Sequence, residues 1–451
     1  MSQKRRVSVI GLGYLGLIQA IVLAESGHEV TAVDTDKEKI ESLRLGLTPF
    51  FEPELKERMR RVKDNGNLTF TDNYETWVAT TEIHFLCVGT PLAEDKSGLD
   101  ASFLFNAVDS ISKNLIEDAI IVGRSTVEVG TAERLKRHLS SKVEGQFHIA
   151  WNPEFLSEGS AFKESFNPER IVLGVEGDLP KNALVDLYSD KIYNGAPILT
   201  MDLASSELVK AAANSFLAMK ISFINGIAGL SESVGADVNK ISLALGLDSR
   251  IGNKFLKSGL GFGGGCLPKD TIGLASSAAS LGQGSFSRLL ELTLEINRGR
   301  VLAAKETILS VMVPDAPIAV CVLGVTFKPN TDDLRGSQSL ELIRELLAAD
   351  AIVNLHDPVA LEKVEISHPN LKKFDSSRDA ILGSNIVVLA TEWEEYLTID
   401  PKSLPNDSGP RTVLDLRNVL DKQNWADSGW QVLSILPNPI HQNLDLFRNA
   451  R

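Results

Sequence analysis

In the first third of the chain, short β-branched apolar runs alternate with longer stretches in which apolar residues return every three or four positions. Residues 7–10 read as a strand, 17–26 as a helix and 29–33 as a second strand that ends at Asp34. Residues 83–88, apolar but for His84, and 119–122 read as two further strands. The pattern changes at Asp202. From there to about Ser233 no proline intervenes, and Leu208, Ala211, Ala212, Phe216, Met219, Ile221 and Ile224 recur at helical spacing, which predicts one long helix or two abutting ones. Amphipathic helices continue to about Ser310, one of them carrying Asn297 and Arg298. Strands resume after a boundary at 314–317, at 318–323, 351–355, 385–390, 412–416 and 430–435, with a helix at 339–348. Strand and helix in alternation at both ends predicts an α/β protein: two doubly wound parallel-sheet domains, 1–201 and 314–451, joined by a long central helix within a helical region, 202–313. The tail after Asn438 reads as loosely structured.

Between the first strand and helix stands Gly11-Leu-Gly-Tyr-Leu-Gly16. A lone GxGxxG is weak evidence. Strand, glycines, helix, strand and an acid eighteen residues after Gly16 form the dinucleotide fingerprint of a Rossmann-like domain. Gly11 serves the tight turn, Gly13 the approach of a pyrophosphate and Gly16 the packing of helix on sheet, while the helix end turns its partial positive charge to the phosphates. Asp34 is expected to accept the adenosine ribose hydroxyls and repel a 2′-phosphate, so the expected cofactor is NAD rather than NADP, with Lys37 nearby as an opposing charge. Thr90 and Thr126 follow two strand ends and are expected beside the nicotinamide half. The last domain repeats the Rossmann-like pattern without the fingerprint: its first turn reads Gly324-Val-Thr-Phe-Lys-Pro-Asn-Thr-Asp-Asp-Leu-Arg335. Phe327, Lys328 and Arg335 suit a stacked base or a diphosphate, and Arg417 ends another strand on the same rim.

Composition removes several classes. The 451 residues carry 46 Lys and Arg against 59 Asp and Glu, a net charge of −13, which disfavours partners held by broad attraction, such as nucleic-acid backbones or anionic membranes. A small phosphorylated ligand needs only a local positive patch. Cys87, Cys266 and Cys321 are too few and scattered for a disulfide framework or a zinc site, and point to a reducing, cytoplasmic compartment with no metal centre. The basic start Met1-Ser-Gln-Lys-Arg-Arg6 precedes an apolar run that Gly11 and Gly13 break at once, so it reads as strand and turn rather than a signal segment. No stretch reaches the ~20 apolar residues of a membrane span.

Cys266 ends Gly259-Leu-Gly-Phe-Gly-Gly-Gly-Cys266 and precedes Leu-Pro-Lys-Asp270. Glycines leave a thiol accessible, and nearby cations or amide donors stabilise its thiolate; a flexible loop with an incidental cysteine is the competing explanation. Cys87 and Cys321 fall inside apolar strands and read as buried. Glu154 and Glu158 sit four apart beside a proline turn; if Phe155 begins a helix, Glu154 lies at its mouth, either as a general base in a cleft or as a solvated helix-start acid. Lys210 and Asn214 stand four apart on an alanine-rich helix face, where a lysine either loses hydration and serves as acid or base, or is a solvated surface charge.

Five motifs occur in one order: Gly-Leu-Gly-Tyr-Leu-Gly, Asn-Pro-Glu-Phe-Leu-Ser-Glu-Gly, Glu-Leu-Val-Lys-Ala-Ala-Ala-Asn, the cysteine loop and Phe-Lys-Pro-Asn-Thr-Asp-Asp. On them the chain resembles the UDP-glucose/GDP-mannose dehydrogenase family over nearly its whole length. The resemblance implies four-electron oxidation of a nucleotide sugar's primary alcohol, UDP-glucose to UDP-glucuronate, with two NAD+ and no released aldehyde. It implies that Cys266 forms a thiohemiacetal and then a thioester. Asp270, with Lys210, Asn214 and a water held by Thr126, would handle the alcohol proton and the oxyanion. Glu154 would serve the hydrolysis. Tyr14, Leu15, Glu158, Lys269 and Arg335 would join the cofactor contacts. Phe155, Leu156, Phe255, Gly263 and Phe327 would line the substrate pocket, Lys328 and Arg417 would hold the nucleotide end, and Arg250 would reach the sugar of a neighbouring subunit, so that at least a homodimer is implied. The chemistry supports these roles, because taking an aldehyde to an acid by hydride loss requires a tetrahedral adduct first.

The chain departs from the family pattern at Gly265, where serine is common, at Gly226 and at Gly336, where glutamate is frequent. Within the family, GDP-mannose or an N-acetylated UDP-hexose are the alternative substrates. The helix around Lys210 is closer to UDP-glucose members, and the retained Pro-Lys-Asp argues against the N-acetylmannosamine branch. Outside it, a two-electron β-hydroxyacid dehydrogenase shares the first domain and the lysine–asparagine helix but needs neither Cys266 nor a second α/β domain, and a non-catalytic NAD sensor would need no intact set of reactive groups.

Overall fold

The computed structural model describes residues 3–74, 77–95, 98–311, 319–404 and 411–435. The boundary expected at 314–317 and the tail after Asn438 lie outside them. The chain divides into two compact units, Met1–Ala213 with Ile272–Gly284, and Asn214–Thr271 with Ser285–Arg451.

The first unit is built on eight strands: β1 (Arg6–Ile10), β2 (Glu29–Val33), β3 (Leu68–Thr71), β4 (Ile83–Leu86), β5 (Ala119–Gly123), β6 (Phe147–Trp151), β7 (Ile171–Val175) and β8 (Ile198–Met201). They lie in the order β3-β2-β1-β4-β5-β6-β7-β8. Every pairing is parallel except β6 with β7. Successive side chains of a strand point to opposite faces. Val7, Val9, Ile83, Phe85, Ile120 and Val122 therefore enter one core, and Ile10, Leu86 and Ile121 the other. Both faces are covered, which is why these strands are mostly apolar, and the two buried polar side chains among them, Ser8 and His84, bond to each other at 2.9 Å. The order reverses between β1 and β4, the switch point beside which ligands of such sheets bind.

The second unit carries β9 (Ala319–Leu323), β10 (Ile352–His356), β11 (Leu371–Lys373), β12 (Ile386–Leu389), β13 (Arg411–Asp415) and β14 (Trp430–Leu433), all parallel, in the order β11-β10-β9-β12-β13-β14. Two doubly wound sheets, parallel but for the β6–β7 pairing, and a long helix thus match the architecture that the alternation predicts. The short strands β3, β6, β8 and β11 escape the pattern reading, because each has only three to five residues and mixes polar with apolar positions; β7, also missed, is apolar along its five residues.

The two sheets repeat one turn. Gly11 (φ 91°) donates its N–H to Val33 O at 2.8 Å, and Gly324 (φ 94°) to His356 O at 2.9 Å. Leu12 N donates to Asp34 Oδ2, and Val325 N to Asp357 Oδ2, both at 2.8 Å. After Gly11 a helix starts at once, Tyr14–Glu25. After Gly324 the next helix is delayed to Gln338–Leu347, capped by Ser337. Asp357 also accepts from Val359 N and Ala360 N. The second turn therefore offers neither a helix end nor an available carboxylate to a dinucleotide.

The stretch read as one helix or two is one, Leu203–Val234. Among the described residues no helix is long and apolar enough to cross a membrane.

Candidate active site

The helix of the dinucleotide turn begins at Tyr14, three residues before the expected start, so Tyr14, Leu15 and Gly16 are already helical. The glycines explain why. A Cβ on Gly11 would meet the Val88 backbone at 2.9 Å, and one on Gly16 would meet Gly11 O at 1.8 Å, so the helix can start only where both side chains are absent. A Cβ on Gly13 would find nothing within 4 Å, which leaves the space a pyrophosphate needs over the helix end.

Asp34 is buried at the end of β2, and its carboxylate accepts from Leu12 N, Asp36 N and Lys39 Nζ. Of a carboxylate's roughly four lone-pair sites one remains for a ribose hydroxyl. The cation facing Asp34 is Lys39, at 3.0 Å, rather than Lys37. Thr90 and Thr126 are joined, Thr90 Oγ1 donating to Thr126 O at 2.6 Å, and Ser125 Oγ donates to Val88 O, so the loops after β4 and β5 form one rim. These residues fit NAD.

Phe155 does not begin a helix: residues 152–160 form a loop, and the next helix is Ala161–Phe166. Pro153 and the left-handed Gly159 (φ 80°) keep the loop open. Glu154 is buried in it rather than solvated at a helix mouth. Its Oε1 stands 3.1 Å from Lys210 Nζ, with side chains 3% and 6% exposed, and its Oε2 accepts from Leu156 N at 2.6 Å. Lys210 is therefore neither a surface charge nor in a purely apolar pocket; it is one half of a buried ion pair. The Phe155 ring lies 5.5 Å from Lys210 Nζ and 3.9 Å from the Arg170 guanidinium. Glu158 lies half-buried in the same loop.

Glu52 is not legible in the sequence as a site residue. It accepts from Tyr14 OH (2.5 Å), Gly159 N (2.6 Å) and Ala161 N (2.9 Å), and so ties the dinucleotide turn to the loop that carries Glu154 and Glu158. Burial, then Glu52, pushes the Tyr14 hydroxyl up, so it stays a donor. Its partners are too distant in sequence for any local pattern to show this.

In the second unit, Asn214 Nδ2 donates to the buried Asp270 Oδ2 at 2.6 Å, and Lys269 Nζ stands 2.8 Å from Oδ1. Asp270 N donates to Cys266 O at 2.8 Å, the first bond of the helix Leu267–Ser280, which makes the exposed Cys266 its N-cap. Lys210 and Asn214 are one turn apart on the helix Leu203–Val234.

The cysteine loop is pinned, and access is not the main reason for its glycines. A Cβ on Gly259 would lie 2.6 Å from Leu416 O, and one on Gly263 2.4 Å from Gly336 O. At Gly264 (φ 82°) it would press on the Phe327 ring, and at Gly265 it would lie 2.7 Å from the Arg335 Cζ. Two departures from the family pattern, Gly265 and Gly336, thus fall on one contact between the loop and the turn after β9. Nothing in the structure explains the third, Gly226, whose surroundings are open.

Around this contact, the Lys328 ammonium lies 5.6 Å from the Phe327 ring. Arg417 donates to Ala390 O and Phe327 O and pairs with Glu392 at 3.3 Å, and burial lowers its pKa from the usual guanidinium value. Arg335 is largely exposed and pairs with Asp333. Arg250, 87% exposed and paired with Asp248, joins none of these groups, and Phe255 is exposed with φ 64°. Cys87 sits one residue beyond β4 rather than inside it; the residue keeps some surface, but burial pushes its thiol up to about 12. Cys321 is buried in β9 and its thiol is raised by that burial.

Family models described as the NAD binding domain, central domain and UDP binding domain of the UDP-glucose/GDP-mannose dehydrogenase family match residues 5–192, 204–299 and 321–422. A relative named UDP-glucose 6-dehydrogenase in Rhizobium meliloti (strain 1021) is 36% identical over 437 residues, 95% of this chain and 99% of the relative. Among solved structures, a UDP-glucose dehydrogenase from the hyperthermophilic archaeon Pyrobaculum islandicum superposes with a TM-score of 0.87 at 34% identity, covering 96% of this chain and 98% of that one. A UDP-D-ManNAc dehydrogenase from Pyrococcus horikoshii gives 0.83 at 25% identity, covering 96% and 99%.

Proposed function

Because the chain belongs to the UDP-glucose/GDP-mannose dehydrogenase family, we propose that it oxidises the primary alcohol of UDP-glucose to the carboxylate of UDP-glucuronate, through a covalent intermediate on Cys266. The observation that carries this reading is the exposed Cys266 at the mouth of a helix, one turn from a buried Asp270 held by Asn214 and Lys269. NAD+, held at Gly13 and Asp34, supplies the hydride acceptor for both oxidations.

The chain's own groups do the rest. The Asp270 carboxylate takes up the alcohol proton as the first hydride leaves, giving an aldehyde. The Cys266 thiolate adds to that carbonyl carbon, and the oxygen becomes an alkoxide that the Asn214 amide and the Lys210 ammonium stabilise. The N-terminal end of the helix Leu267–Ser280 favours an anion at this point. Loss of the second hydride from the thiohemiacetal carbon leaves a thioester. Water, activated by Glu154, cleaves it to the carboxylate and restores the thiol. Phe327, Lys328 and Arg417 receive the uridine diphosphate, a role supported by the packing of Phe327 on the glycine loop that leads to Cys266.

The names of the Rhizobium and Pyrobaculum proteins favour glucose as the sugar. The test is a run to completion with limiting nucleotide sugar. UDP-glucose is expected to be consumed to UDP-glucuronate well ahead of GDP-mannose and UDP-N-acetylmannosamine; preferential use of either of the latter would overturn the choice of sugar.

The same reading makes the protein a homodimer or a larger homo-oligomer. On the helix Leu203–Val234, Phe216, Phe223 and Leu230 are 57%, 57% and 66% exposed at intervals of seven residues, a stripe that a second copy would cover. The exposed Arg250 is then available to the partner's sugar. Light scattering should give at least twice the 49.0 kDa chain mass, and a monomer at micromolar concentration would refute this.

A further inference from the structure

We infer that Asn297 is the positioning residue of the cysteine loop, acting through Phe262 to fix where Cys266 stands; this rests on the role proposed for Cys266. Asn297 is buried on the helix Gly284–Ser310. Its Oδ1 accepts from Phe262 N at 2.7 Å, and its Nδ2 donates to Phe262 O at 2.9 Å. One side chain thus satisfies both main-chain groups of one loop residue, as a neighbouring strand would. Because the Phe262 amide only donates and its carbonyl only accepts, the orientation of the Asn297 amide is dictated.

The loop has been shaped around that amide. Gly261 takes φ 116°, and a Cβ there would lie 2.4 Å from Asn297 Oδ1. The loop passes over Asn297 at a distance that only glycine allows.

Other anchors hold the ends. Asn225 Oδ1 accepts from Gly259 N at 2.8 Å, and Arg300, paired with Glu232, donates from Nε to Gly259 O at 3.2 Å. Leu260 N donates to Leu416 O, and Gly264 N to Arg335 O. Asn297 holds the middle, four residues before Cys266. Without it, two buried backbone groups lose their partner, and the segment must move to recover one. A shift of about 1 Å at a nucleophile is enough to cost two orders of magnitude in rate. A residue that merely stabilises the fold would leave the turnover of folded molecules unchanged.

The experiment uses the full chain with Asn297→Ala and the isosteric Asn297→Asp, which keeps the acceptor for Phe262 N but sets a second oxygen against Phe262 O. In both, kcat with UDP-glucose should fall roughly 10- to 100-fold while KM for UDP-glucose and NAD+ changes less than about threefold. Alkylation of Cys266 by iodoacetamide, followed by mass spectrometry of its peptide in the absence of substrate and cofactor, should slow at least about fivefold at neutral pH. Should Asn297→Ala not accumulate in folded form, Asn297→Asp carries the test. Unchanged alkylation with unchanged kcat per folded molecule overturns the inference, whatever thermal stability is lost, and so does a loss confined to KM. Slowed alkylation in a protein whose parent form makes no NADH from any nucleotide sugar supports the positioning role and refutes the proposed function instead.

Discussion

Cys266→Ala should lower uronate formation by at least about 10³-fold, close to 4 kcal/mol of transition-state stabilisation, while UDP-glucose and NAD+ still bind. The reason is chemical. An aldehyde has no hydride that can leave to give an acid until a nucleophile has added to it, and in the segment 259–270 the other basic group, Lys269, is tied to Asp270 at 2.8 Å. Asp270 and Asn214 are bonded to each other through their own side chains, a bond the variant should keep. The first oxidation therefore survives in part, and the variant should release no more than one NADH per sugar. The fold should tolerate the change, since Cys266 is exposed and the bond from Asp270 N to its carbonyl stays available to alanine. Uronate produced by Cys266→Ala at the unmodified rate would remove the covalent step from the mechanism.

Lys210→Met separates stability from catalysis. Lys210 and Glu154 are buried together at 3.1 Å, and removing one partner strands the other charge in a region with little solvent. Breaking such a pair costs about 3–5 kcal/mol, whereas replacing both partners by neutral groups is close to neutral. Lys210→Met should therefore destabilise the protein strongly in a denaturant titration, and Lys210→Met/Glu154→Gln should recover most of that loss. Activity should behave differently, falling roughly 10²- to 10⁴-fold in the single variant and remaining low in the double one, because the donor to the oxyanion and the base for hydrolysis are both gone. A double variant that regains turnover along with stability would show that the pair is only structural. A single variant as stable as the parent would contradict the burial.

Residues close in sequence are the readable part of this site. The dinucleotide turn, its acid and the strand ends carrying Thr90 and Thr126 follow from spacing within some thirty residues of one another or from runs of apolar residues, and in the sheet they follow the neighbouring strands β1, β2, β4 and β5. The helix at Tyr14 begins early because Gly16 packs on Gly11, a contact whose consequence for the helix start the motif does not show. Glu154 misleads because an acid after proline looks like a helix start, and the lysine that draws it inward is 56 residues away. The glycine loop is the clearest case. Composition presents it as a flexible run, yet Gly259 meets residue 416, Gly261 meets Asn297 and Gly265 meets Arg335, and no one-dimensional pattern records those partners. Glu52 belongs to the same class, since its three partners come from residues 14, 159 and 161.

The most direct test of the central claim is the number of NADH formed per UDP-glucose when a limiting amount of sugar is run to completion. The covalent two-stage oxidation on Cys266 predicts two, with one UDP-glucuronate as product and no free aldehyde trapped by an added hydrazine. One NADH per sugar, with an aldehyde or a ketone as the product, would contradict it and return the protein to the two-electron class.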